Sequence, residues 1–177
     1  GQFMDASLFA ASDILYRDKR WEGALAYFEQ LETKAATAQN VLAAQVGQMR
    51  CLKQLERTDA AGLAADKVLK NPDANADLKY EAGLVAALGM LARNELDGAY
   101  TKFKAVAKDS KNATGAEAKY HMAYIKHLQQ KYRDAETEVF DLAKKFPSYD
   151  YWKAKGFILL ADVYVQLDDR FQAKTTL

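Results

Sequence analysis

Residues 132–147 read YRDAETEVFDLAKKFP, and the question they pose decides the fold. Ala135, Val139 and Leu142 stand at i, i+4 and i+7, which is one face of an α-helix that opens at Tyr132 and is broken at Pro147. A single amphipathic helix of this length cannot hide its apolar face, so neighbours must be supplied by the rest of the chain.

The same pattern recurs four more times. Aligning RWEGALAYFEQL, RTDAAGLAADKV, ELDGAYTKFKAV and DRFQAKTTL on it places an alanine at one shared position: Ala24, Ala61, Ala99, Ala135 and Ala173, at successive intervals of 37, 38, 36 and 38 residues. Four residues later come Phe28, Ala65, Phe103, Val139 and Leu177, and seven later Leu31, Val68, Val106 and Leu142. Upstream of every alanine lies a second helical stretch, and twelve residues before the alanines sit Ser12, Met49, Ala87, Ala123 and Ala161, mostly small, as close helix pairing requires. Each unit is therefore a helix hairpin, with boundaries near 5–38, 39–74, 75–112, 113–148 and 149–177 in one array over 1–177. Asn71-Pro72-Asp73 and Pro147-Ser148 punctuate it, and Thr114 with Glu117 reads as a capping box at the start of the fourth unit.

Composition narrows the function. The 177 residues carry 25 Lys and Arg against 24 Asp and Glu, a net charge of +1, so no long-range field draws the chain to phosphate, and nucleic acid is a poor partner. No run reaches the roughly 18 apolar residues of a membrane span, so direct membrane insertion is not expected. Only 2 prolines and 9 glycines interrupt stretches rich in Ala, Leu, Lys and Glu, which reads as helix throughout. Cys51 is alone, so no internal disulfide forms, and among Ala and Leu it reads as a small core residue. No basic stretch followed by an apolar run opens the chain, so an export signal is expected to be absent or already removed.

The pattern resembles the tetratricopeptide repeat (TPR). In the fifth unit Phe157, Leu160, Ala161, Tyr164 and Ala173 fall where that family places its large, Leu, small, aromatic and Ala positions, and the fourth adds Tyr132, Ala135 and Pro147. The resemblance implies an all-α, right-handed α-solenoid of about five TPR-like hairpins, acting as a protein-protein interaction scaffold. It also implies that the first helix of each hairpin lines a concave groove through the residues 15, 11 and 8 before each alanine. These are Phe9, Asp13 and Tyr16; Val46, Arg50 and Lys53; Leu84, Leu88 and Leu91; Tyr120, Tyr124 and His127; and Ile158, Asp162 and Val165. The three leucines are divided between groove and core. Phe9, Asp13, Tyr16, Arg50, Lys53, Tyr120, Tyr124, His127 and Asp162 are the expected partner-binding residues, a mixture of apolar and charged groups suited to a peptide or a partner protein. Tyr120, Tyr124 and His127 are expected to be exposed to that partner.

A weaker resemblance, in AETEVFDLAKKFPS and FILLADVYVQLDDRFQAKTTL, is to bacterial envelope repeat proteins related to outer-membrane assembly lipoproteins, which implies a cell-envelope or periplasmic location. The last helix is barely two turns long and lacks a polar cap, so a fragment of a longer array, or a homo-oligomer joined through the C-terminal end, is expected. An accessory or regulatory domain of a larger enzyme or complex is the alternative role.

Catalytic machinery is not expected. His121 and His127, the only histidines, lie six residues apart and point about 120° away from each other on a helix, so no metal site is expected. Glu117 and His121 share a face at i, i+4 but read as a solvated pair, and no nucleophile or phosphate-loop motif and no cofactor signature occurs. The densest basic stretch, KFKAVAKDSK over 102–111, reads as a solvated helix face and loop.

Overall fold

The structure, a computed structural model, describes residues 2–176. Among these it contains ten helices and no strand: α1 (Gln2–Arg17), α2 (Trp21–Lys34), α3 (Ala38–Gln54), α4 (Thr58–Lys70), α5 (Ala76–Ala92), α6 (Leu96–Asp109), α7 (Ala113–Leu128), α8 (Tyr132–Lys145), α9 (Asp150–Gln166) and α10 (Arg170–Thr176). The chain divides into two compact units, Gly1–Glu95 and Leu96–Leu177. Within the first, α1, α3 and α5 pack in sequence while α2 and α4 fill the spaces between them; within the second, α7 packs on α9 with α8 against both. Helices touch only near neighbours along the chain within a unit, which is the layered contact pattern of a stacked hairpin repeat.

The small residues at the recurring positions explain this packing. Ala24, Ala61, Ala99, Ala135 and Ala173 are all buried, as are Ser12, Met49, Ala87, Ala123 and Ala161. The expected i+4 and i+7 residues Phe28, Ala65, Phe103 and Val139, with Leu31, Val68, Val106 and Leu142, are buried too, while Leu177 lies outside the described residues. Removing this surface from water contributes roughly 25 cal/mol per Å² of apolar area and is the main force holding the layers. Where α4 meets α5 the backbones come close, with Gly62 against Gly89.

Turn chemistry repeats with the same period. Lys19, Glu56, Asn94, Gln130 and Asp168 each have a positive φ of 56 to 61°, and each stands five residues before its alanine. The amide that follows donates back to the carbonyl five residues upstream: Arg20 to Leu15, Arg57 to Leu52, Glu95 to Met90, Lys131 to Lys126 and Asp169 to Tyr164, at 2.9 to 3.0 Å. This closure ties off the last carbonyls of the first helix, and within each unit it reverses the chain in three residues.

Three of the first helices, α3, α5 and α7, start on side-chain caps. The Thr37 hydroxyl accepts from the Asn40 amide, and Asn75 Oδ1 accepts from the Leu78 amide. At α7 the cap is Asn112, whose Oδ1 accepts from the Thr114 amide at 2.9 Å. This corrects the capping box assigned to Thr114 and Glu117: the helix begins one residue before Thr114, so that threonine is already inside the first turn. Asp5, buried on α1, accepts from the Ala36 amide at 2.7 Å and from the Asn40 side chain at 3.2 Å, which pins α1 to the loop entering α3.

Candidate functional site: two grooves lined by first helices

In the first unit Phe9, Asp13 and Tyr16 of α1 face α3 across a groove of about 420 Å³, floored by Leu42, Val46 and Gly47, with Arg50 and Leu78 at its edge. Gly47 is what lets the floor exist, because a β-carbon there would fall 2.5 Å from the Phe28 ring. Phe9 remains 41 % exposed, so its ring is available to an occupant. The charges in this groove already have partners. Asp13 pairs with Arg17 at 2.7 Å, and Arg50 forms a two-pronged bond to Glu81 of α5 at 2.8 and 2.7 Å. A fork-to-fork pair of this kind orients both groups and holds Arg50 in place. Burial pushes the Tyr16 phenol above its ordinary value, with Arg50 opposing, so Tyr16 stays neutral and its hydroxyl remains a donor. Lys53, placed with these residues by register, is exposed and does not line the groove. Val46 is buried and serves as floor.

The second unit holds a groove of about 280 Å³ between α7 and α9, lined by Tyr120, Tyr124, His127, Lys155, Ile158 and Asp162. His127 Nε2 lies 3.0 Å from Asp162 Oδ2, joining the two helices. The Tyr120 and Tyr124 rings stack with centroids 6.4 Å apart and planes 14° from parallel. Trp152 leans on Tyr120 at 5.6 Å, and Lys155 Nζ sits 4.9 Å above the Tyr120 ring centre and 5.2 Å from that of Trp152. Tyr120, Tyr124 and His127 are half-buried while lining the groove: Trp152 and Lys155 of α9 pack on the Tyr120 ring, and His127 meets Asp162 and the Tyr132 ring. Burial, then the neighbouring Tyr124 and Tyr151, raise the Tyr120 phenol. Ile158 and Val165 are open to solvent, Ile158 by 62 %.

His121 sits among aromatic rings. Its ring stacks on Phe103 at 5.1 Å and 17° and meets Tyr120 edge-on, so it belongs to the aromatic packing beneath the groove. Of the leucine trio, Leu84 is buried, while Leu88 and Leu91 are half-buried. Sequence register placed Phe9, Asp13, Tyr16, Arg50, Tyr120, Tyr124, His127 and Asp162 along the grooves, and Lys53 falls outside them. It missed Lys155 and Trp152, whose signal was only an aromatic-rich opening to α9.

Stacked two-helix layers with buried small residues at the crossing points and a left-handed turn closing each hairpin define the fold class: an all-α solenoid of helix hairpins of the tetratricopeptide-repeat type. Comparison with solved structures agrees, since the chain is similar to the crystal structure of YrrB, a TPR protein with an unusual peptide-binding site, at a TM-score of 0.64 and 19 % identity over 93 % of this chain and 78 % of that one. No family model and no curated protein sequence matches the chain. Among the described residues no helix is long and apolar enough to cross a membrane.

Proposed function

We propose that this protein is a non-catalytic docking scaffold that takes peptide segments of partner proteins in its two grooves. The observation that carries this reading is the pair of aromatic-walled grooves on the first helices, with polar edges set by Arg50–Glu81 in one and His127–Asp162 in the other. Phe9 and Tyr16 in one, and Tyr120, Tyr124 and Ile158 in the other, offer apolar area at little entropic cost, because the rings are already held. Arg50 held by Glu81, and His127 beside Asp162, supply fixed polar edges that choose orientation rather than raw affinity. The peptide-binding role of YrrB concerns that protein, and it supports the reading here through the shared fold alone. Placement in a bacterial envelope, and the five hairpins acting as one array, are part of the proposal and rest on the sequence.

The test is selection of a random peptide library on the purified chain, followed by fluorescence-anisotropy titration of the enriched peptides. Substituting Phe9→Ala with Tyr16→Ala, or Tyr120→Ala with Tyr124→Ala, is expected to weaken binding about tenfold or more, as removal of central aromatic anchors does. Peptides that bind both double variants as tightly as the parent chain would sink the proposal.

A further inference from the structure

A third cavity lies away from both grooves, between the second helices α6 and α8 and above α7. It measures about 450 Å³, and its lining includes five lysines, Lys104, Lys108, Lys111, Lys119 and Lys145, against two carboxylates, Glu138 and Asp141. The repeat provides an internal control, because α2, α3 and α4 are the equivalent set in the first unit. There Glu32 of α2 accepts from Gln48 at 2.8 Å, Gln45 at 3.2 Å and Lys67 of α4 at 2.8 Å, so an acid on one second helix is tied directly to a base on the next. Counting from the recurring alanines, Glu32 corresponds to Ala107, Gln45 to Lys119, Lys67 to Asp141 and Glu29 to Lys104. The tie is missing at α6, and a base replaces an acid on its rim.

The second set compensates internally, on one side only. Lys119, with 8 % of its side chain exposed, pairs with Glu138 and with Asp141 at 2.9 Å, as a buried ammonium must. Glu138 also accepts from the Tyr100 hydroxyl at 2.6 Å, and Lys145 pairs with Asp141 at 2.7 Å. Both carboxylates are thereby taken up by Lys119, Lys145 and Tyr100, none of them one of the three lysines at the α6 edge. On the α6 side Lys104 and Lys108 form no ion pair among the described residues. Lys104 and Lys108 stand one turn apart on α6, about 6 Å at the helical rise, and Lys111 follows two residues past its end.

We propose that this cleft is a second docking site, separate from the grooves, and that its occupant is an acidic segment of a protein partner. Charge complementarity selects an anion, and the arrangement of the lysines selects its form. Lys104 and Lys108 follow one another along α6 with Lys111 just past its end, and lysine lacks the guanidinium fork that grips a single phosphate. An extended chain advances about 3.4 Å per residue with alternate side chains on one face, so acidic side chains along it meet these lysines in succession.

The test is an anisotropy titration of the whole chain with a labelled peptide of about eight glutamates, beside a glycine-serine peptide of equal length. Binding of the acidic peptide alone, weakening as salt is added, is expected. Ala107→Glu restores the acid that the first set carries and should weaken it about tenfold, and Lys104→Glu with Lys108→Glu should do the same; circular dichroism verifies the fold, and the lysine pair decides if Ala107→Glu does not fold. Tyr120→Ala with Tyr124→Ala should leave this binding unchanged, which separates the cleft from the groove reading. The proposal is overturned if the acidic peptide fails to bind, if Lys34→Glu with Lys70→Glu weakens it equally, or if pyrophosphate displaces it at lower concentration than unlabelled peptide, which would make the cleft a small-anion site.

Discussion

Gly62 of α4 and Gly89 of α5 meet backbone to backbone: a β-carbon on either would stand 3.0 Å from the α-carbon of the other. Alanine in place of glycine inside a helix normally gains about 1 kcal/mol. Here the helices would have to part, and overpacking of this kind costs about 1–3 kcal/mol. Gly62→Ala and Gly89→Ala are therefore expected to lower the urea midpoint. Gly23→Ala is the control, since its new methyl would meet only the flexible end of Leu15 at 3.3 Å, and it should leave stability equal or higher.

The left-handed turn residues give a second stability prediction with the opposite sign. Non-glycine side chains pay roughly 1–2 kcal/mol in that conformation, and glycine returns part of this through its greater unfolded-state entropy. Glu56→Gly, at φ 56°, should gain about 0.5–1 kcal/mol in denaturant unfolding. Asn94→Gly, at φ 61°, should gain less, because asparagine tolerates the region best among L residues. Equal gains at both positions would contradict this account.

Acid sensitivity should centre on Glu32. Burial opposes its ionisation, but hydrogen bonds from Lys67, Gln48 and Gln45 outweigh burial and hold the carboxyl below its ordinary value. As pH falls, the unfolded chain takes up this proton before the folded one does. The stabilisation is thus present above the ordinary glutamate value and is lost as pH drops through the lowered one. Asp141, held down by Lys145 first and then by Lys119, adds a loss of the same sign. Thermal unfolding followed from about pH 7 down to about pH 3 should show Glu32→Gln losing less stability across the acid range than the parent.

Cys51 is buried, and desolvation pushes its thiol up to about 11. A neutral, enclosed thiol neither attacks nor is reached. At about pH 8 a chromogenic disulfide reagent should react on the order of a hundred times more slowly with the native chain than with the chain in denaturant. Fast native labelling would show that α3 opens readily toward α2.

How far the sequence could be read follows from what each contact depends on. The alanine ladder and the residues four, seven and minus twelve from it were legible because burial is written in side-chain size and recurs at the helical period, as at Ala61, Ala65, Val68 and Met49. Lys19, Glu56, Asn94, Gln130 and Asp168 keep the same step but share no chemistry, so their common backbone conformation leaves no mark in the residue types. At the start of α7 the capping-box pattern of Thr114 and Glu117 hides the true cap, Asn112, because only the hydrogen bond to the Thr114 amide distinguishes them.

By itself the amino-acid sequence determined the hairpins, their period and the inward face of each helix, since these depend on short-range periodicity and on which side chains water rejects. Only the tertiary structure decided that Lys155 lies over the Tyr120 ring, that Arg50 grips Glu81 and that an alanine at 107 leaves a lysine-lined cleft open. The two contacts join residues 35 and 31 apart on different helices, and they depend on how far neighbouring helices are offset and which rotamers packing permits, quantities that no local pattern of residues encodes.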